Sequence, residues 1–265
     1  MDLFENIKNG KKVLIGMIHC LPIPGTLGGS ATLGQVIQRA VEDAKVLEHS
    51  GFDAVMVENE DRAQAPHMTK LQFAAMSMVA RAVREAVSIP MGLCLGCLNY
   101  EEAITICKVA GGQFIRVPIF VDTVMNYHGI IEPCSADVQA CRTKLGAQDI
   151  RILADVQVKY YYMVNPQITV AQSAAWAEKQ GADAVIVTGL RSGAETSLED
   201  LRDVKRNVHI PVAVGSGVTK QNIVRQLEVS DIMIIGTTLR YGGKMSEPID
   251  PERAAAIVAA AGGKT

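Results

Sequence analysis

At 265 residues, 48% of them hydrophobic and only 5% aromatic, the chain has the length of one large domain with an aliphatic core. Its formal charge of -2 gives no electrostatic footprint for nucleic acid or an anionic membrane. The opening MDLFENIKNGKK holds no apolar run fit for a signal peptide, and no later stretch offers about 18 uninterrupted apolar residues for a membrane span. Six cysteines scattered over Cys20–Cys141 suit free thiols in a reducing compartment. The expectation is a cytoplasmic protein with no nucleic-acid partner and no direct membrane insertion.

In chain order, eight strand-then-helix units are predicted, with no linker between them. Strand one is Val13–His19, followed by a Pro/Gly-rich loop and a helix opened by a Thr32/Gln35 capping box. Strand two is Asp53–Glu60, with a helix over Thr69–Val87. Strand three, Met91–Gly96, leads through Asn99 as cap to a helix ending near Ala110. Strand four is Phe114–Phe120; a long loop, VDTVMNYHGIIEPC, precedes a helix from Ser135. Strand five is Arg151–Val158, with Thr169 and Gln172 capping the next helix. Strand six is Asp183–Gly189, with a Ser197/Asp200 box behind it. Strand seven lies in PVAVGSGVT (Pro211–Thr219), with Thr219 placed to cap a helix, and strand eight in DIMIIGTT (Asp231–Thr238). Asp250-Pro251 starts a last alanine-rich helix.

Several joints repeat one wording, SGFDAVMV, QGADAVIV and VSDIMII: a small residue ends the helix and an Asp opens the strand. That recurrence is the mark of repeated βα units, and the loop after strand one, GMIHCLPIPG, lacks the Gly-rich fingerprint of an open doubly wound sheet. An α/β fold is therefore expected, a (β/α)8 TIM barrel spanning residues 1–265 as one domain.

In such a barrel the strand C-termini carry the site. The last two strands end in Gly215, Ser216, Gly217 and in Gly236, Thr237, Thr238, a pair of turns whose bared amides would hold a phosphate without a lysine. Tight βα turns also favour glycine, which is the competing explanation. The other strands deliver His19; Glu58, Asn59 and Glu60; Cys94; Arg116; Asp155, Gln157 and Lys159; and Thr188. Alternation along strand five stacks Leu153, Asp155, Gln157 and Lys159 on one face, so three polar groups would rise towards the mouth. Charges inside a barrel are costly unless paired or used. Asp155 and Glu58 are candidate general bases or metal carboxylates, Arg116 an anion clamp, and His19 an acid/base or orienting donor. Lys159 is a charge stabiliser, or a Schiff-base amine if burial or a cationic neighbour depresses its pKa. A structural ion-pair layer, with Arg116 or Lys159 neutralising Glu58 or Asp155, is the plainer alternative.

No cofactor is required by these residues; a divalent metal on Glu58, Glu60 and Asp155 stays open. Cys94 and Cys97 form a C-x-x-C without the second pair that a structural zinc site wants. His49, His67, His128 and His209 read as surface residues, and Tyr160–Tyr162 as a ligand cover or a packing contact.

These residues together resemble the BtpA/SgcQ family. The likeness runs through IGMIHCLPIPG, DAVMVEN, GGQFIRV, LADVQVK, DAVIVTG and VGSGVT, nearly end to end, with departures at Cys94, Pro118 and Gln157. The resemblance implies a ribulose-phosphate-binding type of barrel. One branch of the family is associated with photosystem I biogenesis and another looks like nucleosidases or sugar-metabolism enzymes. Two functions follow as expectations. The first is an enzyme of lyase, isomerase or nucleosidase type acting on a small phosphorylated ligand, a sugar phosphate or nucleotide-like compound. The second is a non-catalytic biogenesis or stability factor. A homo-oligomer is compatible with either.

Overall fold

The computed structural model describes residues 3–26, 29–59, 67–96, 98–127 and 129–262. In chain order its elements are α1 (Leu3–Lys8), β1 (Val13–His19), α2 (Leu33–Ser50), β2 (Ala54–Glu58), α3 (Lys70–Ala86), β3 (Met91–Cys94), α4 (Tyr100–Ala110) and β4 (Phe114–Val117). There follow β5 (Val124–Asn126), β6 (Gly129–Ile131), α5 (Ser135–Lys144), β7 (Arg151–Val156), β8 (Tyr162–Met163), α6 (Val170–Lys179) and β9 (Ala184–Val187). The chain ends with α7 (Leu198–Asn207), β10 (Val212–Val214), α8 (Ile223–Leu227), β11 (Ile232–Ile235) and α9 (Pro251–Ala260). Eight parallel strands close in the order β1-β11-β10-β9-β7-β4-β3-β2. This is a (β/α)8 barrel, as the repeated units imply.

Local chemistry explains the frame. Capping boxes at Thr32/Gln35, Thr69/Gln72 and Thr169/Gln172 each satisfy two backbone donors at a helix start. The aspartates of the repeated joints have a shared task. Asp53 accepts the N–H of Leu14 at 2.9 Å, Asp183 that of Ile152 at 2.8 Å and Asp231 that of Val212 at 2.9 Å. Each carboxylate thus ties the foot of its own strand to the foot of the preceding one with a charge-assisted bond.

The core has two shells. Ile15, Met17, Met56, Phe114, Leu153, Ile186 and Ile234 fill the barrel, and a larger aliphatic layer lies between strands and helices. Leu3 and Phe4 of α1, at 1% and 7% exposure, close the N-terminal end. That short helix is not foreshadowed by the sequence.

Several boundaries differ from expectation. Strands β2, β3, β4, β7, β9, β10 and β11 are shorter than predicted, because their C-terminal residues turn into the mouth. The long loop after β4 contains β5 and β6, which pair antiparallel with each other and with β8 as a small sheet in the order β6-β5-β8. Asn99 stands at the start of α4 without capping it; its side chain instead bonds Met68 N and Leu95 O. Ser197 accepts the N–H of Asp200, which is the cap half of the expected box. Thr219 caps no helix: α8 begins later, at Ile223, and is five residues long. Among the described residues no helix is long and apolar enough to cross a membrane.

Candidate active site at the barrel mouth

A cavity of about 600 Å³ opens at the C-terminal strand ends. Four of the five candidate ionisable residues line it, His19, Glu58, Arg116 and Lys159, together with all six residues of the two glycine turns. Asp155 does not. It lies beneath the floor at 1% exposure, with both oxygens taken by Arg116 Nε at 2.8 Å and Nη2 at 2.9 Å. Burial pushes the Asp155 carboxyl up and the guanidinium opposes that push. The fork keeps Arg116 charged: burial disfavours its cation, and the adjoining Asp155 charge more than reverses this.

Glu58, at the end of β2, meets His19, at the end of β1, with Nε2 to Oε2 3.2 Å. Behind the ring stands Arg240, fully buried, with Nη2 3.3 Å from His19 Nδ1. Arginine only donates, so Nδ1 accepts and Nε2 carries the hydrogen given to Glu58. Arg240 is itself held by Asp43 at 3.2 Å and by the carbonyl of Glu247 at 2.5 Å. Gly236 makes room for this arrangement, since a Cβ there would sit 2.6 Å from His19 Cε1.

Burial alone would push Glu58 up; the His19 hydrogen bond and the charges of Arg116 and Lys159 outweigh it and hold the carboxyl at about 2. A folded-state value below the unfolded one gives stability that is present above roughly pH 5 and lost as pH falls through about 2. Glu58→Gln is therefore expected to cost roughly 2–3 kcal/mol at pH 7 and to flatten the acid limb of stability against pH. Urea unfolding across pH 2–7 measures this, and an unchanged acid limb would refute the assignment.

Lys159 comes to the cavity by a different route from the one alternation predicts. Strand β7 stops at Val156, and Gln157 adopts φ 46°. Its side chain therefore turns outward, donating to Ile168 O at 2.8 Å, and is not stacked above Asp155. Asp122 fixes this turn by accepting Gln157 N at 2.7 Å and the Ser173 hydroxyl at 2.6 Å. Thr188 Oγ1 accepts the Lys159 N–H at 3.1 Å. Burial and the neighbouring Arg116 charge lower the pKa of the Lys159 amine.

In the first glycine turn the Ser216 hydroxyl is already committed, donating to Ala194 O at 3.0 Å and accepting Gly189 N at 2.6 Å. Ser216 and Gly217 line the cavity, and their backbone N–H groups donate to no acceptor among the described residues. In the second turn Thr238 Oγ1 donates to Val218 O at 2.7 Å, which joins the two turns.

Of the remaining candidates, Asn59 and Cys94 also line the cavity. Burial first, then the Glu58 charge, pushes the Cys94 thiol well up, and its sulfur lies 3.5 Å from Glu58 Oε1. Glu60, Cys97 and His128 lie outside the described residues. Glu58 and Asp155 are engaged by different partners, and no group of three or more His, Cys, Asp or Glu among the described residues is arranged to hold a metal. His49, His67 and His209 are at the surface. Tyr160 and Tyr161 line the cavity, with the Tyr160 hydroxyl accepting Ser192 N at 2.9 Å, and Tyr162 is exposed. Asp43, Asp122 and Arg240 are the residues that sequence reasoning missed. Asp43 alone left a signal, standing on the apolar face of α2 beside Val36, Ala40, Ala44 and Leu47.

Fold and site together define a (β/α)8 barrel with an ionisable cavity at its C-terminal mouth. A sequence model of the BtpA family matches residues 10–263, and the chain belongs to the BtpA family. An uncharacterized protein of Pyrococcus furiosus is 37% identical over 256 residues, 96% of each chain. The photosystem I biogenesis protein BtpA of Synechocystis sp. is 30% identical over 264 residues, 98% of this chain and 91% of that one. Among solved structures, thiamine phosphate pyrophosphorylase from Pyrococcus furiosus superposes with a TM-score of 0.62 at 14% identity, covering 97% of this chain and 98% of that one, a likeness of fold.

Proposed function

We propose that the protein is an enzyme that binds a small phosphorylated metabolite in this cavity, in the lyase, isomerase or nucleosidase group. One observation carries the reading: a single cavity is lined both by the two glycine turns and by His19, Glu58, Arg116 and Lys159. The phosphate rests on the free N–H groups of Ser216 and Gly217 and on the Gly236–Thr238 turn. Arg116, oriented by Asp155, is the fixed cation of the floor, so Asp155 acts as a positioning residue and not as the base. Glu58 and His19 supply the proton-transfer pair, and Lys159 an amine whose pKa is lowered by burial and by the Arg116 charge.

A thermal-shift screen with sugar phosphates, nucleoside phosphates and inorganic phosphate tests this reading. A ligand at about 100 times its Kd adds about 2.7 kcal/mol, roughly 5–10 °C for a domain of this size. The shift is expected for at least one phosphorylated compound and is expected to vanish in Thr237→Asp, which sets a carboxylate against the phosphate. A flat screen on folded protein would defeat the proposal. It would favour the second reading, a non-catalytic biogenesis factor, which draws on the name of the Synechocystis relative; that reading requires a stoichiometric protein partner.

A further inference from the structure

Among the described residues the ionisable groups around the cavity are paired, with one exception. Arg116 is held by Asp155, Glu58 by His19, and Arg240 by Asp43. The half-buried Lys159 lines the same cavity, and its amine makes no hydrogen bond or ion pair with any described residue. The backbone around it is unusual in a second, independent way. Among the described residues only two non-glycine residues have positive φ, Gln157 at 46° and Tyr160 at 71°, and they bracket Lys159. Strain of this kind persists only where the surroundings over-determine it, and it concentrates at functional sites. Here the determinants are visible: Asp122 and Ile168 hold Gln157, Thr188 holds the backbone of Lys159, and Ser192 meets the Tyr160 hydroxyl.

We propose that Lys159 is an amine nucleophile that forms a Schiff base with the carbonyl of a phosphorylated aldehyde or ketone. The amine half of this assignment stands on the unpaired side chain and its strained presentation; the phosphorylated half rests on the function proposed above. In the step itself the Nζ lone pair attacks the carbonyl carbon, and proton transfer from nitrogen to oxygen gives a carbinolamine. Loss of water then breaks the C–O bond and completes the C=N bond. One water is released and no electrons change hands. His19 and Glu58, on the same cavity, are placed to carry the proton to the departing oxygen. Burial and the Arg116 charge favour the neutral amine that the attack requires. A lysine serving only as a phosphate counter-charge would gain nothing from that depression.

The test is reductive trapping on the full chain. The protein is incubated at pH 7 with D-glyceraldehyde 3-phosphate, dihydroxyacetone phosphate or ribulose 5-phosphate, with and without sodium borohydride, and read by intact mass and peptide mapping. The expected result is one reduced adduct per chain, on Lys159, from at least one of these compounds. It should be absent without borohydride, suppressed by inorganic phosphate, and lost in Lys159→Arg, which keeps the charge and should melt as cooperatively as the parent. Unphosphorylated D-glyceraldehyde separates the two halves: trapping on Lys159 as efficient as with D-glyceraldehyde 3-phosphate, with inorganic phosphate suppressing neither, would uphold the amine and overturn the phosphate cradle. Adducts spread over surface lysines with Lys159 unmodified would overturn the Schiff base, even where the thermal screen shows phosphate binding.

Discussion

Asp155→Ala is expected to cost about 3–5 kcal/mol, the penalty for stranding one member of a buried ion pair. The guanidinium of Arg116 is 6% exposed and receives both oxygens of Asp155, so the variant leaves a permanent cation with no route to neutrality. Arg116→Met should cost less, because the stranded partner is then a carboxyl that can take up a proton. Burial already pushes Asp155 up, and without the guanidinium that push is unopposed. A folded-state value above the unfolded one gives stability that is present at low pH and lost as pH rises through it. Arg116→Met should therefore lose more stability, relative to the parent, at pH 8 than at pH 5, whereas Asp155→Ala should lose about as much at both. The double variant Arg116→Met/Asp155→Leu should recover most of the loss, since an apolar pair of similar volume satisfies the same space. Urea unfolding of the three variants at the two pH values decides the matter. A loss below about 1 kcal/mol for Asp155→Ala would mean that the pair is hydrated and not a buried strut.

The pair also marks where sequence reasoning stopped working. Alternation along β7 places Leu153 and Asp155 inward correctly, and the same rule continued to Gln157 fails, although Lys159 still reaches the cavity by another backbone path. The backbone at Gln157 turns left-handed, which no period-2 pattern encodes, and Asp122, far off in sequence, is what holds it there. Local signals survived: the Thr32/Gln35 and Thr169/Gln172 capping boxes sit where the sequence puts them, because their partners lie three residues apart. The repeated Asp at the joints was legible as a repeat. Its physical purpose, bonding the neighbouring strand, required the barrel to close. The residues at the mouth were legible as a list for the same reason that the barrel was, since strand ends converge there. Their pairing was not. Arg240 reaches His19 and Asp43 across most of the chain, and a TTLRYGG segment gives no sign of a fully buried arginine. The small β6-β5-β8 sheet was hidden by its length, since strands of two or three residues carry too little pattern to separate from a loop.

Gly217→Ala is expected to cost about 3 kcal/mol and, unlike most glycine substitutions, to abolish ligand binding with it. Two penalties add at this position. The backbone has φ 69°, where a side chain costs about 1–2 kcal/mol. A Cβ would also fall well inside contact distance of the Ala194 carbonyl, which is backbone and cannot rotate away. Gly193 gives the control, with φ 79° and nothing within 4 Å of a Cβ built there, so Gly193→Ala should cost only about 1 kcal/mol. The difference between the two variants measures the clash alone. Its relief would displace the segment that Ser216 ties to the turn through Ala194 O and Gly189 N, and that Thr196 ties to Ser216 O at 3.2 Å. Ser216 and Gly217 would then be shifted from their places in the cavity lining. Thermal melts with and without the phosphorylated compound found in the screen give both readouts together. Gly193→Ala should keep the ligand-induced shift and Gly217→Ala should lose it. Equal costs with the shift retained in both would mean that the 189–196 segment yields freely, and that the glycine turn is a product of packing and not a phosphate seat.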